Sequence, residues 1–306
     1  FQKRFKMKVK FVEPSAHLIA SSLALGKNEV VDAWSNRYIP HYSLDGENRI
    51  NSVYKAHGGD RERDEYVSAA KTVEYAGRGC YEAYARKNSK TDSYEDYIYN
   101  ILKQKHFSVL EHTSFTIELD GISRAATHEI VRHRHFSFSQ ESQRFVFKED
   151  GLRMVVPPAL VERLTDDEQR IYQQALNGDM FSIVSYAGSS DALQQIVKLK
   201  NLFAQTMMQA NEMRDILKTD GATRKQASEA ARALYPNCAA TKIVVTGNAR
   251  SWLEFISKRH SGAADAELQM IAELVWSILR YTMPEVFSDK PAELWLDEAE
   301  QKGVQK

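Results

Sequence analysis

Residues 128–144 have the sequence HEIVRHRHFSFSQESQR, and this segment places four basic side chains in a row. The four are Arg132, His133, Arg134 and His135. Guanidinium groups keep their charge in proteins, so two arginines at this spacing repel each other unless an anion lies between them. A phosphate or diphosphate group meets that need, because the planar guanidinium can bind it with two parallel hydrogen bonds.

Neutral hydrogen-bonding side chains follow the basic residues. They are Ser137, Ser139, Gln140, Ser142 and Gln143. Hydroxyl and amide groups of this kind can bind the edge of a polar heterocycle. Taken together, the segment indicates a site for an anionic ligand that carries a polar ring.

Two other interpretations of the segment remain open. It could be a solvent-exposed basic surface, or His128, His133 and His135 could bind a metal ion in a hydrolase. The flanking arginines argue against a metal, because they add positive charge where the cation would lie. No acidic residue lies between Arg132 and Glu141 to compensate that charge.

The composition narrows the class of protein. The chain has 306 residues, with 41 basic and 41 acidic side chains, so its formal net charge is zero. Proteins that bind nucleic acid or membrane surfaces usually carry a basic excess, so we expect neither partner. The two cysteines, Cys80 and Cys238, form no disulfide framework and no zinc pattern, which favours a cytoplasmic location. No apolar run approaches the ~20 residues of a membrane-spanning helix.

Apolar periodicity predicts an α+β fold with few strands and many helices. Strands are expected at 8–12, 115–120, 154–156 and 243–245, and Gly121 is expected to end the second. Helices are expected at 66–84, 94–103, 124–133, 165–176, 223–234 and 265–281. A longer helix that contains 193–217 is expected after Ser190, and another that contains Trp252, Phe255 and Ile256 is expected after Asn248. The residues of segment 136–144 are expected to form a loop.

Capping residues mark several helix starts. Ser123 and Asn248 precede two of the helices, and Thr165 with Glu168 forms a capping box. Leucine, methionine and phenylalanine recur at helical spacing in 193–217. Such a stripe is more typical of a core or a subunit interface than of a cofactor site.

The order of residues in the basic segment resembles a known family. Arg132-His133-Arg134, then seven residues, then Ser142 matches the RHR-x7-S motif of the flavin-dependent thymidylate synthases. The blocks HFSVLEH (106–112), EAAR (229–232) and GNAR (247–250) also look like that family, in the same order.

The resemblance implies a single catalytic domain spanning 1–306, with a small antiparallel sheet flanked by helices. Within it, 20–65 is expected to be a loop-rich insertion and 160–220 a helical segment. The implied activity is the reductive methylation of dUMP to dTMP, with 5,10-methylenetetrahydrofolate as carbon donor. Reduced FAD, recharged by NADPH, would supply the hydride, and a homotetramer would share its active sites between subunits. A nucleotide-binding regulator without enzymatic activity is the alternative.

The resemblance also implies roles for individual residues. The implied dUMP ligands are Glu129, Arg132, Gln140, Glu141, Ser142, Gln143, Arg144, Arg232 and Arg259. The implied FAD ligands are Ser108, Arg132, His133, Arg134, Gln140, Asn248, Ala249, Arg250 and Glu254. His106 is expected beside the folate and nicotinamide, and Arg259 is expected to act in catalysis at the uracil edge.

Physical arguments support some of these roles. Glu229 lies three residues before Arg232, so we expect its carboxylate to hold that guanidinium, although a surface ion pair has the same spacing. The helix that starts after Asn248 is expected to offer free backbone N–H groups to a phosphate. Arg259 could stabilise negative charge that develops on the pyrimidine, or it could simply face water at the end of its helix.

The chain departs from the family pattern at four positions. Ala263 stands where members often carry histidine, and His260 instead follows Arg259 directly. Phe145 replaces a common tyrosine, and Glu141 replaces an apolar residue. Gln140 stands where some members have glutamate.

Overall fold

The structure is a computed structural model that describes residues 9–21, 69–83, 90–146, 152–176, 183–184 and 188–296. The strands are β1 (Val9–Val12), β2 (Ser15–Ser21), β3 (Ser114–Ser123), β4 (Ser137–Gln140), β5 (Leu152–Val155) and β6 (Ala240–Asn248). The first helices are α1 (Ala69–Gly79), α2 (Tyr94–Lys103), α3 (Arg124–Ile130), α4 (Pro158–Val161), α5 (Asp166–Leu176) and α6 (Asp191–Thr219). The later helices are α7 (Arg224–Ala231), α8 (Ala249–Arg259), α9 (Ala266–Thr282), α10 (Pro284–Phe287) and α11 (Asp289–Ala292). Short 3-10 helices lie at Phe107–His112 and Arg232–Leu234.

Four strands form an antiparallel sheet in the order β2-β3-β6-β4. Its two inner strands alternate in burial, as in β3, where Phe115 and Ile117 are fully buried. The α+β fold with a small antiparallel sheet is therefore confirmed. The parallel pairing of β1 with β5, from Val9 opposite Leu152 to Val12 opposite Val155, is an addition that the sequence did not predict.

The sequence predicted that strand β3 ends at Gly121, but the strand continues to Ser123. Gly121 has φ = +71°, and a Cβ atom there would lie 2.3 Å from the carbonyl oxygen of Glu13. Glycine therefore allows a left-handed residue inside the strand and a close approach of two backbones. Gly121 therefore allows two backbone segments to pack closely and does not end the strand.

The prediction of a loop at 136–144 is wrong for Ser137–Gln140, which forms β4 beside β6 at one end of the strand order. Its side chains alternate between exposed and half-buried. The alternation of Phe136, Ser137, Phe138 and Ser139 was a short period-two signal for this strand, but it was outweighed by the polar residues that surround it.

Helix α3 begins after Ser123, whose Oγ accepts a hydrogen bond from Ala126 N at 3.0 Å, as predicted. It ends at Ile130 and not at 133. Its last buried residue is Ile130, and Arg132 N donates to Glu129 O in a tighter turn. The helix stops where its apolar face stops, and the basic run begins in that turn.

The Cα positions divide the chain into two compact units. The first unit comprises Phe1–Pro14, Asp120–Arg132 and Ser139–Ile243, and the second comprises Ser15–Leu119, His133–Phe138 and Val244–Lys306. The single-domain organisation stays a prediction. Apart from residues 20 and 21, which end β2, the expected insertion at 20–65 lies outside the described residues.

The first unit has its core around α6. Leu193, Ile196, Phe203 and Met207 are almost fully buried and pack with Phe11 of β1. The stripe in 193–217 is therefore mostly core, as the sequence favoured.

Helices α5 and α6 of the first unit are joined by a buried carboxylate. Glu168 accepts hydrogen bonds from Thr165 N at 3.0 Å and from Ser190 N and Oγ at 2.8 and 2.7 Å. The predicted capping box is confirmed, because Glu168 N also donates to Thr165 Oγ1. The same carboxylate fixes Ser190, which caps α6.

The core of the second unit is aromatic. Trp252 and Phe255 of α8 are buried, and the Trp252 indole donates to Phe115 O at 3.2 Å. Phe136 packs 4.5 Å from Trp252 between ring centroids. These contacts hold α8, which carries several of the predicted site residues, on β3 of the same unit.

Candidate active site

The two units carry different parts of the predicted site. The first unit contains Glu129, Arg132, Gln140, Glu141, Ser142, Gln143, Arg144 and Arg232. The second unit contains His106, Ser108, His133, Arg134, Asn248, Ala249, Arg250, Glu254 and Arg259. All implied dUMP ligands except Arg259 are thus in the first unit. All implied FAD ligands except Arg132 and Gln140 are in the second.

Arg132 and Glu129 share one face, as predicted, although Arg132 lies beyond the end of α3. Arg132 Nη1 is 3.3 Å from Glu129 Oε1. The arginine side chain is 73% exposed, so the pair contributes little to stability. The exposed guanidinium retains donors for a ligand.

Arg144 of the first unit pairs with Glu229, with Arg144 Nη2 lying 2.5 Å from Glu229 Oε1. The expectation that Glu229 holds Arg232 is therefore wrong. Helix α7 ends at Ala231, and Arg232 begins a 3-10 turn, so the α-helical geometry behind that expectation does not reach it. The Arg144 Nε atom is buried and has no hydrogen-bond partner within the structure.

Arg124 is a basic residue of the first unit that the sequence analysis missed. It is half-buried, and burial together with the charge of Arg232 lowers the pKa of its guanidinium, while Glu141 acts in the opposite direction. A signal was present in the sequence, because Arg124 directly follows the capping Ser123. A cation in the first turn of a helix opposes the helix dipole, which is a reason to look for an anion nearby.

The loop after β4 is held by hydrogen bonds within the first unit. Gln140 Nε2 donates to Thr127 Oγ1 at 3.0 Å, and Glu141 N donates to Lys242 O at 2.9 Å. Ser142 Oγ accepts from Arg144 N at 3.3 Å. The half-buried Gln143 lies in the turn that follows, and the next residue but one, Phe145, is 61% exposed.

His133 and Arg259 meet in the second unit. The Arg259 Nε–H donates to His133 Nε2 at 3.0 Å. The imidazole ring also makes edge contacts with Phe255 and Phe136, at centroid distances of 5.1 and 6.3 Å. Both residues were predicted to belong to the site, but this contact across 126 positions of sequence was not predicted.

The start of α8 differs from the expectation of free backbone donors. Ala249 N donates to Thr113 O at 3.0 Å, and Ser251 N donates to the capping Asn248 Oδ1 at 2.8 Å. Both N–H groups are thus already used. The cap was predicted correctly, but Thr113, which follows the 3-10 helix Phe107–His112, supplies a carbonyl that the sequence did not reveal.

Arg250 follows the buried Ala249 and reaches outward from the start of α8. Its Nη1 lies 2.6 Å from Glu111 Oε1. Both side chains are about half exposed, so the pair can exchange partners at low cost.

Glu254 lies on the same helix and keeps its negative charge readily. A hydrogen bond from Lys258 lowers the pKa of this carboxyl, burial opposes the shift, and the charge of Lys258 lowers the pKa further.

The remaining predicted residues of the second unit are exposed. His106 precedes the 3-10 helix that contains Ser108, and Arg134 lies in the turn after His133. His260, which follows Arg259, instead lies with Nε2 2.9 Å from Glu273 Oε2.

The donor set of the second unit fits a bound flavin dinucleotide. Arg134 and Arg250 are exposed cations suited to a diphosphate, and His133 adds an imidazole whose ring is fixed by aromatic neighbours. In the part of the chain that the structure describes, no group of three or more His, Cys, Asp or Glu side chains is arranged to hold a metal ion. Nor does any helix of that part have the length and apolar character needed to cross a membrane.

Comparison with known proteins gives consistent results. The family model described as "Thymidylate synthase complementing protein" matches residues 64–285. The flavin-dependent thymidylate synthase of Mycobacterium avium is 40% identical over 217 residues, which are 71% of this chain and 78% of that protein. The enzyme of the same name from Corynebacterium aurimucosum is 40% identical over 235 residues, covering 76% and 84% of the two chains.

A solved structure has the same fold. It is the UMP/dUMP methylase PolB from Streptomyces cacaoi bound with 5-Br UMP, with a TM-score of 0.55 and 20% identity over 94% of this chain and 96% of that one. At that identity the match speaks for the fold alone. The family model and the 40% identical relatives decide the classification: this chain belongs to the family of flavin-dependent thymidylate synthases.

Proposed function

We propose that this protein converts dUMP to dTMP by reductive methylation, with 5,10-methylenetetrahydrofolate as the one-carbon donor. Reduced FAD supplies the hydride when it is bound, and NADPH recharges it. The protein contributes binding, orientation and fixed charge, as expected for an enzyme whose cofactor carries the redox chemistry.

One observation supports the nucleotide site above all others, namely that the half-buried Arg124 lies within electrostatic range of Arg232. Burial and mutual repulsion both disfavour this pair of charges, as the lowered pKa of Arg124 reflects. A bound phosphate between them removes the repulsion and accepts charge-assisted hydrogen bonds. We therefore assign the phosphate of dUMP to Arg124 and Arg232.

Arg144 would contribute to the same nucleotide. Its pairing with Glu229 occupies Nη2, and its buried Nε has no partner within the structure. An unsatisfied buried donor is costly, so a ligand acceptor at this position would be stabilising. Glu129, Arg132, Gln140, Glu141, Ser142 and Gln143 complete the proposed nucleotide site.

Arg259 is the proposed catalytic cation. A guanidinium held in a fixed orientation beside the uracil edge stabilises negative charge that develops on the ring during reaction. Its hydrogen bond to His133 supplies such an orientation.

The exposed groups of the second unit would hold FAD. Arg134 and Arg250 would bind its diphosphate, and His133 and Glu254 would contact the flavin side of the cofactor. Ser108, Asn248, Ala249, Arg132 and Gln140 complete this proposed set, and His106 would lie beside folate or nicotinamide.

We further propose that a homotetramer, located in the cytoplasm, forms each active site from more than one subunit. This arrangement would allow the nucleotide residues of one copy to serve the flavin residues of another.

The direct test is product formation. Purified protein, incubated with dUMP, methylenetetrahydrofolate, FAD and NADPH, is expected to form dTMP, measured by chromatography with labelled dUMP. Omission of FAD from a flavin-stripped sample is expected to stop the reaction. A protein that binds dUMP and FAD but forms no dTMP would instead support the nucleotide-binding regulator.

A further inference from the structure

The hydrogen bond from Arg259 to His133 determines which nitrogen of the His133 ring carries the proton. An arginine Nε always carries its hydrogen, so it can only donate. The 3.0 Å contact from Arg259 Nε to His133 Nε2 therefore requires that Nε2 be an acceptor. In a neutral imidazole one nitrogen accepts and the other carries the proton, which places the His133 proton on Nδ1.

We propose that His133 is a positioning residue, which holds the Arg259 guanidinium in place through the unprotonated Nε2 of its neutral Nδ1–H form. The inference rests on the proposed function of Arg259 and extends it. It assigns to His133 a role toward a side chain of this protein, beyond the flavin contact that the family resemblance implies.

The surroundings of His133 support this role. Phe255, from the helix that carries Arg259, packs against the imidazole ring with an interplanar angle of 69°, and Phe136 contacts it at 66°. The two rings restrict the rotation of the imidazole, so Nε2 stays directed at Arg259. A guanidinium on a long side chain has many rotamers, and an oriented acceptor reduces that freedom before substrate binds.

A protonated Nε2 could not accept from Arg259, because it would itself be a donor, so the contact requires the neutral imidazole.

The first experiment uses the ligand-free protein and does not depend on activity. Two-bond 1H–15N correlation spectra identify which imidazole nitrogen carries the proton, and His133→Gln provides the assignment. We expect Nδ1–H with a bare Nε2 at neutral to mildly alkaline pH, and a mixture of the two neutral forms in Arg259→Ala. A proton on Nε2 of the ligand-free protein would overturn the inference, whether or not the protein makes dTMP.

The second experiment compares two amide replacements at saturating FAD. The Gln oxygen reaches approximately the place of Nε2 and can accept from Arg259, whereas the shorter Asn places its oxygen nearer to Nδ1. We expect kcat to fall about 10- to 100-fold further in His133→Asn than in His133→Gln, with a smaller difference in KM for dUMP.

A double-mutant cycle separates positioning from general damage. Loss of Arg259 should make the Gln and Asn variants equal in kcat, because there is no longer a guanidinium to position. FAD affinity, measured by flavin fluorescence, serves as the control for cofactor loss. A Gln-to-Asn difference that persists without Arg259 would show that His133 acts by another route.

Discussion

Arg144 and Glu229, 85 positions apart in sequence, form an ion pair in which Arg144 Nη2 lies 2.5 Å from Glu229 Oε1. Glu229 therefore pairs with Arg144 and not with the nearer arginine in sequence, Arg232. Sequence spacing assigns Glu229 to Arg232, but the folded chain assigns it to Arg144. The carboxylate and the guanidinium are each about one-third exposed, so their value lies in orientation more than in stability.

We therefore predict that the effect of Glu229 on dUMP binding passes through Arg144. Arg144→Ala should raise the Kd for dUMP about 10- to 100-fold, because charge-assisted hydrogen bonds are lost. Glu229→Ala should raise it about 3- to 10-fold, and should add nothing in the Arg144→Ala background. Isothermal titration calorimetry measures the parent, the two single variants and the double variant, together with Arg232→Ala with and without Glu229→Ala. If Glu229→Ala still raised the Kd for dUMP in the Arg144→Ala background but not in the Arg232→Ala background, Glu229 would act through Arg232 instead.

Arg232 itself is assigned to the nucleotide alone. Arg232→Ala should weaken dUMP binding about 10- to 100-fold, because the phosphate loses a guanidinium, and should leave FAD largely bound. Arg224→Ala is the matched control, since that arginine is exposed at the other end of the preceding helix. Calorimetry measures dUMP and fluorescence measures FAD. Equal loss of both ligands would show that the assignment is too narrow.

Local features of this structure were accessible from sequence, whereas contacts between distant segments were not. Ser123, Thr165 and Asn248 were correctly predicted to cap helices, because a cap depends on residues within one turn. The Arg259–His133 contact joins positions 126 apart, and no periodicity encodes it.

Edge position and close packing account for the other misses. The Phe/Ser alternation at 136–139 that precedes and includes β4 was too short to outweigh the polar residues around it, and Gly121 was taken as a terminator although it permits backbone contact with Glu13. The signature motif located the site, but the partners of its residues depend on the whole fold.

Acid stability should depend on Asp120, which binds Arg153 through two hydrogen bonds of 2.7 and 2.9 Å. Burial alone would raise the pKa of Asp120, but the hydrogen bonds and charge of Arg153 outweigh it, so the folded pKa is lowered. A lowered folded pKa stabilises the protein above the unfolded value of about 3.9 and loses this contribution as the pH falls through the folded value.

We predict that Asp120→Asn lowers the free energy of unfolding near neutral pH and makes that energy less sensitive to acid below about pH 4. Urea unfolding followed by circular dichroism at several pH values measures the slope. Asp167→Asn is the control, because Asp167 pairs with Arg170 in a largely exposed setting. Identical acid slopes in the parent and Asp120→Asn would contradict the role of this pair.

Sharing of sites between subunits predicts complementation. Arg134→Ala, from the proposed flavin set, and Arg232→Ala, from the proposed nucleotide set, are each expected to be inactive, and their mixed oligomers should regain part of the activity, since some sites would receive both wild-type groups. The two variants carry different affinity tags, and tandem purification verifies the mixed species. Verified mixed oligomers without activity would indicate that both arginines come from one subunit.

Ser142 should not be a covalent nucleophile, although it is the hydroxyl of the RHR-x7-S motif. A serine attacks carbon only when a base removes its proton, usually a histidine oriented by a carboxylate. Ser142 Oγ accepts a hydrogen bond from Arg144 N at 3.3 Å, which stabilises the loop and leaves the hydroxyl proton for a ligand acceptor. His133 is unsuited to act as its base, because Nε2 already accepts from Arg259.

We therefore expect Ser142→Ala to retain measurable dTMP formation with dUMP affinity weakened about 3- to 10-fold, the value of one neutral hydrogen bond. Ser142→Cys should also stay active, since its thiol is a weaker donor in nearly the same place. Steady-state kinetics measure both variants, and mass spectrometry after acid quench searches for an adduct in the parent. A stable nucleotide adduct on Ser142, lost together with all turnover in Ser142→Ala, would establish covalent catalysis in place of hydrogen bonding.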